Sequence, residues 1–151
     1  MKIGNVEIKG KAVLGPMAGI TDMPFRALCT EQGASLTFTE MISAKGLFYR
    51  NRNSLPLLAV SEKEGPVAVQ LFGSEPELMA DEAAKLEDGP YDIFDINMGC
   101  PMPKIVNNGE GSALMKAPEL AGRIISAMTA RLNKPVTFLF MVSWGFPGGS
   151  V

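Results

Sequence analysis

A cysteine at the end of a short apolar strand is the residue best suited to chemistry in this chain. Cys100 follows the predicted strand Asp92–Ile96, and the turn between them reads Asn97-Met98-Gly99. In α/β folds, side chains just past the carboxyl end of a parallel strand are the ones that meet ligands. Gly99 permits a tight turn and Pro101 fixes the backbone after it, so we expect the Cys100 sulfur to point in one direction.

The composition narrows the chemistry open to Cys100. The 151 residues include two Cys and no His. Without His no Ser-His or Cys-His pair can form, so acid–base work falls to Cys, Lys, Asp, Glu or Tyr. Cys29 and Cys100 are far apart and lack CxxC spacing, which argues against a zinc site and a disulfide framework. We therefore expect no metal and a reducing, cytoplasmic environment.

The bulk composition is typical of one globular domain with no broad affinity for polyanions or membranes. Hydrophobic residues make up 46% of the chain, charged residues 20%, and the formal net charge is −2 at pH 7. A slightly negative chain offers no general basic field to nucleic acid. No run of about 18 apolar residues occurs and Met1–Lys11 lacks a signal-peptide pattern, so neither a membrane span nor export is predicted.

Short apolar strands alternate with helical segments along the chain. The predicted strands are Lys11–Leu14, Ser35–Thr39, Pro66–Phe72, Asp92–Ile96 and Pro135–Phe140. The first predicted helix begins at Asp22 and carries Phe25, Leu28 and Cys29 on one face. Strand–helix alternation predicts a parallel sheet with right-handed crossovers. Before the first strand, the alternating Ile3, Val6 and Ile8 predict a small two-stranded flap.

Several segments in consistent order give the chain a resemblance to a known family. Besides the turn Asn97–Pro101, they are Gly15–Asp22, Phe25-Arg26, Thr39–Met41, Val69–Gly73 and Asn108–Met115. Together they resemble the bacterial tRNA-dihydrouridine synthases, and most of all the B-type branch, over roughly residues 1–137. The resemblance implies an α/β fold in which residues 1–137 form about the first four to five β/α units of a (β/α)8 TIM barrel with parallel strands.

The resemblance also implies a reaction and a set of site residues. In that family FMN, reduced by NADPH, gives a hydride to C6 of a uracil flipped out of tRNA, and a Cys gives a proton to C5. Cys100 matches this catalytic proton donor, and Asn97 lies where the family contacts the substrate uridine. Gln70 matches a side chain that hydrogen-bonds the flavin ring. The loop expected under that ring consists of Pro16, Met17 and Ala18.

Each of these residues also has a plainer interpretation. Cys100 could be a buried structural thiol, and Pro16–Ala18 a strand-ending turn with a packed Met. Gln70 could satisfy backbone groups in a barrel interior, and Asn97 could hold its own turn through backbone bonds. The loop Gly109–Ser112 lacks the Gly-Lys-Ser/Thr ending of a phosphate loop, which predicts a structural loop near the barrel mouth.

The chain departs from the family pattern after Thr137. Leu139 stands where the family has a Lys that contacts the flavin, and residues 138–151 read as a divergent apolar, Gly-rich tail. A complete barrel needs eight units and roughly 250 residues. We therefore expect a truncated synthase whose tail comes from a frameshift, assembly error or premature stop. We also expect no C-terminal helical tRNA-binding domain, weak or absent tRNA binding, and self-association through open barrel edges.

Two other functions compete with the synthase. One is another FMN-dependent TIM-barrel reductase, of the dihydroorotate or dihydropyrimidine type. Such reductases resemble this chain less at Asn97–Pro101 and in the loop Gly109–Met115. The other is a catalytically silent half-barrel that binds no FMN.

Overall fold

The structure, a computed structural model, describes residues 1–140. Its strands are β1 (Lys2–Ile3), β2 (Val6–Glu7), β3 (Ala12–Leu14), β4 (Ala34–Phe38), β5 (Ile42–Ser43), β6 (Val67–Phe72), β7 (Ile93–Asn97) and β8 (Val136–Leu139). Its α-helices are α1 (Met23–Glu31), α2 (Ala44–Phe48), α3 (Pro76–Lys85), α4 (Pro103–Val106) and α5 (Pro118–Arg131). Two short 3-10 helices cover Pro56–Leu58 and Gly111–Lys116.

Five strands form a curled parallel sheet in the order β3-β4-β6-β7-β8, and the short β5 also pairs with β6. The hairpin β1-β2 is a separate antiparallel pair. Each of the five long strands lies where the sequence predicts it, with ends that differ by a single residue. The predicted fold class, a partial (β/α)8 barrel with parallel strands, is therefore confirmed, and so is the flap before it.

The outer face of the sheet is covered by α3 and α5. Val69 and Leu71 of β6 share one buried cluster with Met79 of α3 and Ile124 of α5. Because side chains alternate along a strand, residues between these positions point to the inner face. The largest apolar core therefore lies between sheet and helices, and it leaves the inner face free for other residue types.

Apolar side chains fill the inner face at the amino ends of the strands. Leu36, Ala68 and Ile93 form a second buried cluster with Ile8, and the apolar side chains of the β1-β2 hairpin pack against it. The flap thus closes the bottom of the half-barrel. Further along the same face, towards the carboxyl ends, the side chains become polar.

Helix α1 buries a charged residue rather than the apolar face that the sequence predicts. Phe25 and Leu28 are 38% and 53% exposed, whereas Arg26 is 1% exposed. The Arg26 Nε lies 2.7 Å from Oε2 of Glu64, whose side chain is fully buried. The guanidinium also donates to two backbone carbonyls. This ion pair joins α1 to the loop before β6, so the helix faces the sheet through Arg26.

The predicted tail can be followed only in part. Strand β8 runs through Thr137 to Leu139 without a break, while residues 141–151 of the tail lie outside the described residues. The boundary expected at residue 137 stays a prediction. Within the described chain, no helix combines the length and the hydrophobicity needed to cross a bilayer.

Removing one partner of the buried ion pair should destabilise the fold strongly. We expect Arg26→Met to lower the free energy of unfolding by about 3–5 kcal/mol, because it leaves the Glu64 carboxylate buried without a cation. Chemical denaturation measures the change. The control is Lys63→Met, whose partner Glu31 lies 3.4 Å away on the surface and which should cost less than about 1 kcal/mol. Equal losses in the two variants would contradict the assignment.

Candidate active site

Cys100 lies just past the carboxyl end of β7, on a turn that Asn97 holds. The Asn97 Oδ1 accepts the backbone N–H of Cys100 at 2.9 Å and that of Gly99 at 3.3 Å. Gly99 is not among the glycines with positive φ in the described chain. The turn therefore takes its shape from the Asn97 side chain rather than from the freedom of Gly99. Asn97 does hold its own turn, and the Cys100 side chain stays half-buried.

Asn97 is also one end of a hydrogen-bonded chain of side chains that crosses three strands. Its Nδ2 donates to Oε1 of Gln70 at 2.9 Å, and Nε2 of Gln70 donates to Oδ2 of Asp95 at 2.7 Å. The Thr137 hydroxyl donates to Oδ1 of Asp95 at 2.6 Å. We call Thr137, Asp95, Gln70 and Asn97 the polar chain. In the sheet register Asp95 lies opposite Gln70 on one side and Thr137 on the other, so all three share the inner face.

Three of the four residues of the polar chain are shielded from solvent, and Thr137 is half-buried. Gln70, Asp95 and Asn97 are 1%, 2% and 6% exposed. Burial raises the pKa of the Asp95 carboxyl, and the hydrogen bonds from Thr137 and Gln70 partly offset this rise. Both partners are neutral, and no ion pair reaches Asp95 within residues 1–140. A buried carboxylate without a cation is costly, so packing alone does not account for an acid at this position.

The loop after β3 presents apolar side chains at the same end of the sheet. Met17 is 56% exposed. Its neighbour Pro16 is half-buried, and Ala18 is exposed. The Glu40 carboxylate, which follows β4, accepts the N–H of Gly19 and so ties the loop to the next strand. The structure thus joins Gln70 and the backbone of Cys100 to the same side chain, that of Asn97. Pro16–Ala18 follows β3, which β4 and β6 separate from β7, and no hydrogen bond within the described chain joins this loop to those three residues.

The loop after α4 packs on the backbone of Cys100. The Ser112 N–H donates to the Cys100 carbonyl oxygen at 2.9 Å. Gly111 has a φ of +59°, and a Cβ there would lie 2.6 Å from that oxygen and 3.3 Å from Cβ of Cys100. Only glycine fits such a conformation at such a distance. The loop therefore supports the cysteine turn from the side opposite Asn97.

Three contributors to the site are missing from the predicted set. They are Asp95, Thr137 and Gly111. An acid in the middle of a continuously apolar strand is the one signal that points to Asp95 in the sequence. Within residues 1–140, no three His, Cys, Asp or Glu side chains gather in a metal-binding arrangement.

Fold and site together define one half of a parallel β/α barrel that carries a cysteine and a buried polar chain at the carboxyl ends of its strands, where barrel enzymes hold their active sites. A family model described as dihydrouridine synthase (Dus) matches residues 13–146. The chain belongs to this family of enzymes. The match extends past Thr137.

Curated relatives have the same family name. The tRNA-dihydrouridine synthase B of Xanthomonas axonopodis pv. citri is 41% identical over 144 residues, which are 95% of this chain and 43% of that protein. The tRNA-dihydrouridine synthase B of Vibrio vulnificus is 39% identical, with 95% and 45% covered. A probable tRNA-dihydrouridine synthase of Rickettsia conorii is 40% identical over 146 residues, 44% of its length. The resemblance is therefore confirmed, and the chain spans less than half the length of these relatives.

Adding a methyl group at position 111 should disturb the cysteine turn. We expect Gly111→Ala to destabilise the protein by at least about 1 kcal/mol more than Gly109→Ala, because of overpacking against Cys100. Gly109 is a matched control: its φ is +72°, and a Cβ there meets nothing within 4 Å. Both variants incur the left-handed backbone cost of roughly 1–2 kcal/mol. Thermal unfolding measures stability, and equal losses would refute a tight contact at Gly111.

The buried Asp95 should make stability depend on pH. Because its pKa is raised on folding, the folded state holds the proton more tightly, and stability falls as pH rises from the unfolded pKa through the folded one. Asp95→Asn removes this loss. We expect the variant to be more stable than the wild type at pH 7, with a gain that shrinks as pH falls towards about 4. Thermal unfolding across this range checks it, with the exposed Asp88→Asn as control. A gain independent of pH would contradict the cause given.

Proposed function

We propose that the chain carries the proton-donating and flavin-facing residues of a tRNA-dihydrouridine synthase, which reduces the C5=C6 bond of uridine in tRNA with FMN and NADPH. The observation that supports this proposal is the direct hydrogen bonding of Gln70 and the Cys100 turn to one shared residue, Asn97. The names of the relatives point to the same reaction. The family match favours the synthase over a reductase of the dihydroorotate or dihydropyrimidine type.

The free hydrogen-bonding groups of Gln70 fit the pyrimidine edge of a flavin. A primary amide has two N–H groups and two lone pairs. Gln70 uses one N–H for Asp95 and one lone pair for Asn97. One donor and one acceptor remain, and a flavin edge offers the complementary groups. The exposed apolar loop Pro16–Ala18 is suited to lie against the flat ring.

In the proposed reaction the protein acts as acid and as template. When bound, reduced FMN would supply a hydride to C6 of the uracil. Cys100 donates its thiol proton to C5, where the electron pair of the former double bond forms the new C–H bond. The thiolate left behind regains a proton from solvent. A thiol titrates close enough to neutral pH to donate this proton and recover it.

Asn97 can contribute to substrate binding without releasing the turn. Its Oδ1 is fully used by the N–H groups of Gly99 and Cys100, and one Nδ2 hydrogen goes to Gln70. The Nδ2 also faces the Met41 sulfur at 3.9 Å. A thioether is a weak acceptor. A uracil carbonyl can therefore replace the Met41 sulfur as the acceptor of the second Nδ2 hydrogen.

A second candidate is a catalytically silent half-barrel. In the β7-β8 register Leu139 lies opposite Asn97, at the position where the resemblance calls for a lysine in contact with the flavin. An apolar side chain there offers no cation to the ring. Phe138 and Phe140 beside it are each 45% exposed, and they favour self-association through this edge of the sheet.

The visible spectrum and fluorescence of the purified 151-residue chain separate the two candidates. The synthase proposal expects flavin bands after incubation with FMN, and dihydrouridine in unmodified tRNA once NADPH is added. Cys100→Ala should keep FMN affinity unchanged and lower dihydrouridine formation by about 100-fold or more, the usual worth of a general acid. Cys29→Ala, on helix α1, is the matched control and should keep both.

Two results would count against the proposal, the first against synthase activity in this chain and the second against the role of Cys100. One is a colourless protein that quenches no FMN fluorescence and self-associates on gel filtration, which would support the silent half-barrel. The other is dihydrouridine formation that survives Cys100→Ala, which would remove the proton-donor role.

A further inference from the structure

Asp95 is a charged residue in the site to which the proposed reaction gives no role. It is 2% exposed, and among residues 1–140 it receives hydrogen bonds from Gln70 and Thr137 alone. It lies two residues before Asn97 on the same strand, so both side chains point to the inner face. One residue, Gln70, links it to Asn97, which holds the Cys100 turn.

Every hydrogen bond of the polar chain is directed towards the Asp95 carboxylate: Thr137 donates to it from one side, and Asn97 and Gln70 donate in turn towards it from the other. A carboxylate only accepts, so Gln70 turns Nε2 towards Asp95 and Oε1 towards Asn97. Asn97 then turns Nδ2 towards Gln70 and Oδ1 towards the backbone. The N–H groups of Gly99 and Cys100 only donate, so they demand the same orientation from the other end. The carboxylate and the backbone N–H groups require the same orientation, so the side-chain amides of Gln70 and Asn97 each have one assignment of oxygen and nitrogen.

We propose that Asp95 is a positioning residue: its carboxyl anchors the Gln70 amide, and through Gln70 it holds the Asn97 side chain on the backbone N–H groups of Gly99 and Cys100. Without an acceptor at position 95, the Gln70 amide has no fixed end and can rotate away from Asn97. Asn97 then loses the partner of its Nδ2. This inference deepens the proposed function, because the turn that Asp95 supports is the one that carries the proton donor.

The charge of Asp95 is less important to this role than its acceptor oxygen. In Asp95→Asn the Oδ1 can accept from Gln70 while the Nδ2 donates to the Thr137 hydroxyl, which accepts as well as donates. The bonds that link position 95 to Gln70 and Gln70 to Asn97 then keep their direction, and the bond to Thr137 is retained with its direction reversed. Asp95→Leu has a similar size and no acceptor, so it breaks the chain at its anchor. The two variants therefore separate the effect of the acceptor oxygen from the effect of side-chain size at position 95.

Amide hydrogen exchange measured by NMR on the full chain tests the proposal residue by residue. Asp95→Leu should speed exchange at the Gly99 and Cys100 amides by roughly three- to tenfold, the net worth of one hydrogen bond. The Met98 amide is the internal control, since it bonds the Leu139 carbonyl at 2.9 Å in the β7-β8 pairing and reports on the sheet alone. Asp95→Asn should leave all three amides unchanged.

Coupling with Gln70 shows whether Asp95 acts through it. Gln70→Met should give the same acceleration as Asp95→Leu, and the double variant should add nothing further. If Asp95→Leu does not fold, Asp95→Ala removes the carboxyl without adding apolar bulk and takes its place. Additive effects of the two substitutions would overturn the proposed route.

Two further outcomes would overturn the positioning role. One is unchanged exchange at Gly99 and Cys100 in Asp95→Leu. The other is an equal acceleration at Met98, which would mean that the residue supports only the sheet. The measurement uses neither flavin nor tRNA. A chain that fails to bind FMN therefore rejects the proposed function and leaves this inference standing, and the reverse holds as well.

Discussion

A carboxyl group buried inside a sheet needs donors for its oxygens, and this need organises the interior of the half-barrel. Asp95 takes one donor from the strand on each side, Gln70 of β6 and Thr137 of β8. Both donors lie opposite it in the register. A slip of one residue on either neighbouring strand would turn its donor to the outer face and leave the carboxyl unsatisfied. The polar chain thus fixes how three strands align.

The two faces of the sheet divide the work between stability and chemistry. On the outer face, β6 and β7 pack against α3 and α5 in one apolar cluster. On the inner face, the amino ends of the strands are apolar, and Ile8 of the flap closes the bottom. The carboxyl ends are therefore free to carry polar groups without losing the main core. This layering leaves room at the mouth for Gln70 and for Asn97, which holds the Cys100 turn.

Local sequence patterns predicted most of the helices and strands. They did not predict which side chains pair across long separations in the sequence. The strands were predictable because they are short apolar runs bounded by Gly and Pro, and Cys100 stood out by its place after one of them. The partners of Asp95 were not predictable, because they depend on the register of three strands. Nor was the pair Arg26–Glu64, which spans a separation of 38 in the sequence. The exposed Phe25 shows the same limit, since a helix's apolar residues reveal nothing about which neighbours cover them.

Among the residues that the structure describes, hydrogen bonds hold the backbone of Cys100 on both sides. Asn97 holds its N–H from one side and Ser112 holds its carbonyl from the other, while Gly111 allows the second loop to come close. The cysteine turn is thus a local structure, set by β6, β7 and one loop. Cofactor and RNA binding make a different demand, because a ligand must be contacted by several strand ends at once. Positioning of Cys100 rests on β6, β7 and one loop, so it is separable from the capture of a ligand by several strand ends.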